Sequence, residues 1–122
     1  MNAGKTFVVT VVTSGIGLAL ARALAHTVER LVIVGRDEAR LQAAAEATGD
    51  GERNLELIPI LADLATLEGV RSLAEQLERL PRIDALIHNA GILPAQRKLT
   101  KDGFEESFAT NHLAPFVLNH RL

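Results

Sequence analysis

Apolar runs rich in β-branched residues alternate with stretches of helical period four times along this chain, and no other feature limits its fold as tightly. The runs are Phe7–Val12, Leu31–Val34, Leu55–Leu61 and Ala85–His88. Two of them are nearly continuous in apolar residues, as strands buried on both faces are. Pro59 inside the third run is a defect, tolerable at a sheet edge because proline cannot donate to the ladder. Between the runs, Leu67, Val70, Leu73, Ala74, Leu77 and Leu80 form one apolar stripe, opposed by Glu68, Arg71, Glu75, Glu78 and Arg79. Asp37 reads as the N-cap of the second helix, and Asp102 with Glu105 as a capping box for the last. Residues 49–54 are an ordinary helix-to-strand turn. Such alternation implies a parallel sheet closed by right-handed crossovers, an α/β fold over a single domain, residues 1–122.

Composition narrows the function. Hydrophobic residues are 48% of the 122 and charged residues 23%, which suits a packed globule and not a disordered chain. A formal net charge of -2 argues against nucleic acid and against an anionic membrane as partners, because both need a basic surface. The absence of cysteine excludes disulfides, a thiol nucleophile and cysteine-ligated metals. Phe7–Val12 is too short for a signal-peptide core or a membrane span, so the expected location is cytoplasmic. His26, His88, His112 and His120 have no chelating spacing, and no metal is expected. Ser14, Ser72 and Ser107 stand in no Gly-x-Ser-x-Gly elbow, and no lysine follows Gly17 as a P-loop requires.

Four strand ends carry chemistry. The first strand runs through Thr10-Val11-Val12-Thr13-Ser14-Gly15-Ile16-Gly17 into a helix; such a turn either points N–H groups at a pyrophosphate or is plain turn geometry. The second ends in Val34-Gly35-Arg36, where a dinucleotide fold reads the adenosine ribose. Arg36 there suits a 2′-phosphate, hence NADP over NAD, or is a solvated arginine opening a helix; Asp37 is the competing acid. Asp63, after the third strand, can accept from an adenine amino group or cap the helix that starts near Thr66. His88-Asn89-Ala90-Gly91 suits backbone lying against a flat ligand, or a tight turn.

Taken together the chain resembles the N-terminal half of a short-chain dehydrogenase/reductase, a single-domain Rossmann enzyme. The glycine turn, Gly35-Arg36-Asp37, Asp63-Leu64 and Asn89-Ala90-Gly91 fall in the family's order and spacing. Asp102-Gly103-Phe104-Glu105 through Phe108-Ala109-Thr110-Asn111-His112-Leu113 resembles the retinol-dehydrogenase-like branch. The resemblance implies a doubly wound parallel sheet of about four strands, in the order 3-2-1-4. It also implies a dinucleotide cofactor, with Thr13, Ser14 and Ile16 along the phosphates beside Gly15 and Gly17. Arg36 would take the 2′-phosphate, Asp63 and Leu64 the adenine, and Asn89, Ala90 and Gly91 the ribose side. Asn111 matches the asparagine that positions the catalytic lysine through a water.

Two departures bear on activity. The family's turn begins Thr-Gly, whereas this chain has Val11 at the glycine position. A β-branched residue forced to positive φ costs on the order of 1–3 kcal/mol, so Val11 either relaxes the turn into the first strand or enters the cofactor space. Either outcome weakens cofactor binding. The family's proton donor is a tyrosine with a lysine four residues on, beside a serine, all downstream of the Asn111 motif. This sequence has no tyrosine, and Lys98 and Lys101 precede Asn111. The chain alone is therefore expected to be inactive, a truncated domain lacking its C-terminal catalytic half.

The expected function is accordingly that of an NADP-binding domain whose full-length relatives transfer a hydride between nicotinamide and a carbonyl or alcohol. The alternative is a non-catalytic Rossmann remnant, a scaffold or dimerisation module with its cofactor site impaired by Val11. In the 3-2-1-4 order, Ala85–His88 is an open apolar edge that invites a second copy. A receiver-like module would need an acidic cluster and a phosphoacceptor aspartate at the first strand ends, and these are lacking.

Overall fold

Burial on both faces is what the two most apolar strands require, and the computed structural model of the chain provides it. It describes residues 2–10, 15–49, 54–89 and 97–122. Strands β1 (Asn2–Thr10), β2 (Val28–Gly35), β3 (Glu56–Leu61) and β4 (Ala85–Ile87) form one sheet in the order β3-β2-β1-β4. All three pairings are parallel, and the sheet is flanked by helices in the Rossmann manner. Helices α1 (Gly15–Leu24), α2 (Glu38–Gly49) and α3 (Leu67–Glu78) stand between successive strands in the chain. After β4 come one α-turn, α4 (Glu106–Phe108), a π-helical turn at Ala109–Leu113, and α5 (Ala114–Arg121).

The chain divides into two compact units, Met1–Leu61 with Arg82–Asn89, and Ala62–Pro81 with Ala90–Leu122. In the first, side chains alternate across the strands. Val9, Leu31 and Ile33 join Ala21, Ala25, Leu41 and Ala44 in one core against α1 and α2. Val8, Val32 and Val34, on the opposite face of the same strands, are also fully buried. Truncating a side chain such as Leu31 to alanine costs about 2–5 kcal/mol at sites of this type. Pro59 stands on edge strand β3 opposite Ile33, where its missing N–H costs no ladder bond on the outer side.

The first strand starts earlier than its apolar run. Residues 2–6 carry no strand signal, yet Asn2 pairs with Val28, and the register shifts between Asn2 and Thr6. Gly4, with φ of +76°, absorbs that irregularity.

At the amino ends of the strands, several polar groups pair with one another. The Thr6 N–H donates to Asp84 Oδ2 at 2.8 Å, and Arg82 binds the same carboxylate. Arg30 reaches Thr6 Oγ1 at 3.3 Å and Glu56 Oε1 at 3.2 Å. Hydrogen bonding from Arg82, with a further bond from the Thr6 N–H, holds the Asp84 carboxyl below the ordinary aspartate value.

The second unit is helical. Val70, Leu73, Ala74 and Leu77 of α3 are buried, as the stripe requires, as are Ala114 and Leu118 of α5, which packs on α3. Arg121 binds Glu78 at 2.9 Å across the pair. A Cβ at Gly69 would stand 1.9 Å from the Asp63 carbonyl oxygen, so only glycine lets the first turn of α3 lie on that backbone.

Two capping expectations are corrected. Thr66, not Asp63, is the N-cap of α3, accepting from the Gly69 N–H at 3.0 Å. The Asp63 carboxylate instead accepts from the Ala65 N–H at 3.0 Å, because it lies one turn too early to reach α3. Nor does Asp102 cap the last helix. That helix begins at Glu106, so Glu105 is in the capping position and accepts from the Phe108 N–H at 3.1 Å. Asp102 reaches α3 instead, accepting from the Leu67 N–H at 2.8 Å, while Lys101 binds Glu68 at 2.6 Å.

Candidate dinucleotide site

Parallel strands end together, and their carboxyl ends are where an open α/β sheet binds ligands. In the first unit, Thr10 of β1 is in register with Val34, which in turn pairs with Ile60. Thr10 is fully buried; its hydroxyl accepts from the Asn89 N–H at 3.0 Å and donates to the Ile87 carbonyl at 3.5 Å. One side chain thus ties the end of β1 to the backbone leaving β4 and fixes where Asn89 begins. Among the site residues, Thr10 is the one the sequence reading passed over. A hydroxyl as the last buried position of an apolar run is the signal, since it must find a partner there.

Gly15 opens α1 at φ +63°, a left-handed conformation that suits glycine, and a Cβ there would meet nothing within 4 Å. Ile16 is 80% exposed, Gly17 is buried, and the first turn of α1 carries no acid. The N–H groups of that turn are thus free of a competing carboxylate on the helix itself.

At the tip of β2, Gly35 is buried and Arg36 exposed. Asp37 Oδ1 accepts from the Arg40 N–H at 2.9 Å, and its carbonyl accepts from the Leu41 N–H at 2.8 Å, the bonds of an N-cap. Among the described residues no carboxylate pairs with Arg36.

Asp63, Leu64 and Asn111 belong to the second unit. Asp63 is exposed, whereas Leu64 is buried beside a small cavity that Val70, Ala109 and Leu113 also line. Asn111 is exposed within the π turn. Pro115, four residues on, has no N–H to return to the Asn111 carbonyl, and the helix widens there: the Ala114 N–H reaches back to Ala109. Lys101 holds its proton more tightly than an ordinary lysine because Glu68 is hydrogen-bonded to it. That is opposite to the lowered value a proton-relay lysine needs. Val11, Thr13, Ser14, Ala90 and Gly91 lie outside the described residues. Among those described, no three His, Asp or Glu gather as a metal set, and no helix is long and apolar enough to cross a membrane.

A parallel 3-2-1-4 sheet with a glycine-opened helix after its first strand defines a Rossmann-type nucleotide fold. The short chain dehydrogenase family profile matches residues 5–122, and the chain belongs to the short-chain dehydrogenase/reductase family. It is 39% identical over 136 residues to human retinol dehydrogenase 14, covering 98% of this chain and 40% of that protein. Human dehydrogenase/reductase SDR family member 13 is 42% identical over 120 residues, covering 98% of this chain and 31% of its own. A short-chain dehydrogenase from Sphingobium yanoikuyae, solved in complex with NADPH, superposes with a TM-score of 0.82 at 29% identity, covering 96% of this chain and 46% of that one. The chain thus spans less than half the length of these relatives.

Proposed function

We propose that these residues form the NADP(H)-binding part of an oxidoreductase acting on a carbonyl or alcohol. One observation carries the cofactor preference. Asp37, the acid next to Arg36 at the tip of β2, is used as the α2 cap, and Arg36 is exposed with no carboxylate paired to it among the described residues. A 2′-phosphate fits that arrangement, and a 2′-hydroxyl, which an acid would read, does not. Within the first unit, the residues that would hold the dinucleotide are Gly15–Gly17 at the pyrophosphate, Arg36 at the 2′-phosphate and Asn89 on the ribose side. When bound, the nicotinamide supplies the hydride. This chain's part is to place it, through the Thr10–Asn89 bond and the opening turn of α1. The NADPH-bound Sphingobium relative supports the same cofactor.

A second reading is a non-catalytic remnant whose site is spoiled by Val11, and the lack of any tyrosine favours it over an enzyme complete in these residues. Calorimetric titration with NADPH and NADH, on the parent chain and on Val11→Gly, separates the two. Micromolar NADPH binding, weaker for NADH, supports the cofactor site. Binding in Val11→Gly alone supports the remnant, and binding in neither refutes a cofactor site. In a ketone-reduction assay, the purified chain with NADPH is expected to stay at the blank rate.

A further inference from the structure

Eleven residues of this chain carry a serine or threonine hydroxyl, and one of them stands apart by charge. Thr100 follows Arg97-Lys98-Leu99, and none of the other ten has a base two or three positions ahead of it. Arg97, Lys98 and Leu99 are exposed, Leu99 by 60%. The Thr100 hydroxyl accepts from the Phe104 N–H at 3.3 Å and donates to nothing among the described residues, so its proton is available. Two cations just ahead of a hydroxyl, in an exposed stretch, are what the acidic substrate groove of a basophilic serine/threonine kinase reads. The surroundings give such a modification something to change. Thr100 opens a turn closed by its N–H on the Phe104 carbonyl (2.7 Å) and by the Gly103 N–H on its own carbonyl (2.9 Å). The next two residues fasten that turn to α3, Lys101 on Glu68 at 2.6 Å and Asp102 on the Leu67 N–H at 2.8 Å. Both ties lie at solvent, where such contacts hold weakly and local opening costs little.

We propose that Thr100 is a phosphoryl acceptor and that its phosphorylation releases this turn from α3. In the transfer, Thr100 Oγ1 bonds to the γ-phosphorus of a nucleoside triphosphate. The bond from that phosphorus to the β–γ bridging oxygen breaks, the diphosphate leaves, and the hydroxyl proton passes to a carboxylate of the kinase. The product sets a charge of about −1.5 to −2 one residue from Lys101 and two from Asp102. Lys101 then has a stronger anion beside it than Glu68, and Asp102 is pushed by a like charge from its place on the Leu67 N–H. The two ties weaken together because one turn carries both. Neither the cation pair nor the ties depend on a bound dinucleotide.

The folded chain, incubated with labelled ATP and the catalytic subunit of cyclic-AMP-dependent protein kinase, should take up one phosphoryl group, mapped to Thr100 by mass spectrometry of its peptides. Arg97→Ala with Lys98→Ala should slow the initial rate by about 10-fold or more, since the charges that guide the kinase are gone. Thr100→Ser should still accept label and Thr100→Val should not. If the double alanine variant or Thr100→Val does not fold, the peptide map of the parent and the label on Thr100→Ser decide by themselves. In the phosphorylated chain, hydrogen exchange should quicken at the Leu67 and Gly103 amides and stay as it was in β1 and β2. Absence of label on the folded chain overturns the proposal, as does label on a different hydroxyl or a rate indifferent to Arg97 and Lys98. A phosphorylated chain whose Leu67 amide exchanges no faster than the parent's also overturns it.

Discussion

The two ends of the central sheet are built from similar material and treated differently. At the amino ends of the strands Arg82, Asp84, Thr6, Arg30 and Glu56 pair with one another in a chain of short contacts. At the carboxyl ends the fully buried Thr10 hydroxyl binds the Asn89 N–H, and among the described residues no carboxylate pairs with Arg36. The first arrangement ties the strands together; the second leaves a cation in solvent at the end where open α/β sheets bind ligands.

Variants can break that contrast, and the largest effect is expected where structure and site coincide. Thr10→Val removes the acceptor of the Asn89 N–H and should cost about 1–3 kcal/mol in chemical denaturation. It should also abolish NADPH binding, measured by calorimetry. Arg36→Ser should weaken NADPH binding by about 10- to 100-fold, as loss of a charge-assisted contact does, with little change for NADH or in Tm. At the opposite end, Asp84→Asn should lower the urea midpoint at neutral pH and leave NADPH affinity alone. Because the folded Asp84 carboxyl titrates below its unfolded value, its stabilisation is present above about pH 4 and fades as the pH falls further. Parent and Asp84→Asn midpoints should therefore converge in acid. The smallest effect is expected at Thr110, whose buried hydroxyl has no partner among the described residues. Thr110→Val should be neutral or gain up to about 1 kcal/mol by removing an unmet polar group. Thermal melts would show it as an unchanged or slightly raised Tm.

Much of the fold was legible because periodicity is a direct record of burial. The strand runs and the α3 stripe follow from which positions must leave water, whereas the 3-2-1-4 order came from the family resemblance. What was not legible depended on contacts distant in sequence. Asp102 looks like a local cap, but its carboxylate acts 35 residues away on α3. Residues 2–6 carry no strand signal and are recruited by β2. At the site, Arg36 and Asp37 are adjacent and opposite in charge, so the sequence left the ribose reader open. The bond from the Arg40 N–H to Asp37 places that acid in the α2 cap. The π turn is written in the sequence as Pro115, four residues after Asn111, and can be read only once both are known to share a helix.

The three-residue length of β4 has a kinetic side. Its anchoring contacts on β1 join residues 78 and 79 positions apart, while Arg30 meets Thr6 across 24. Closing the longer loop costs roughly 1 kcal/mol more in chain entropy, and three residues of ladder return little against it. The β1–β2 pair should therefore be in place before β4 arrives, with β4 absent from the rate-limiting ensemble. Substitutions at Thr10 or Asp84 would then quicken unfolding and leave the refolding rate nearly untouched, so the strand that completes the candidate site is also the first to let it go.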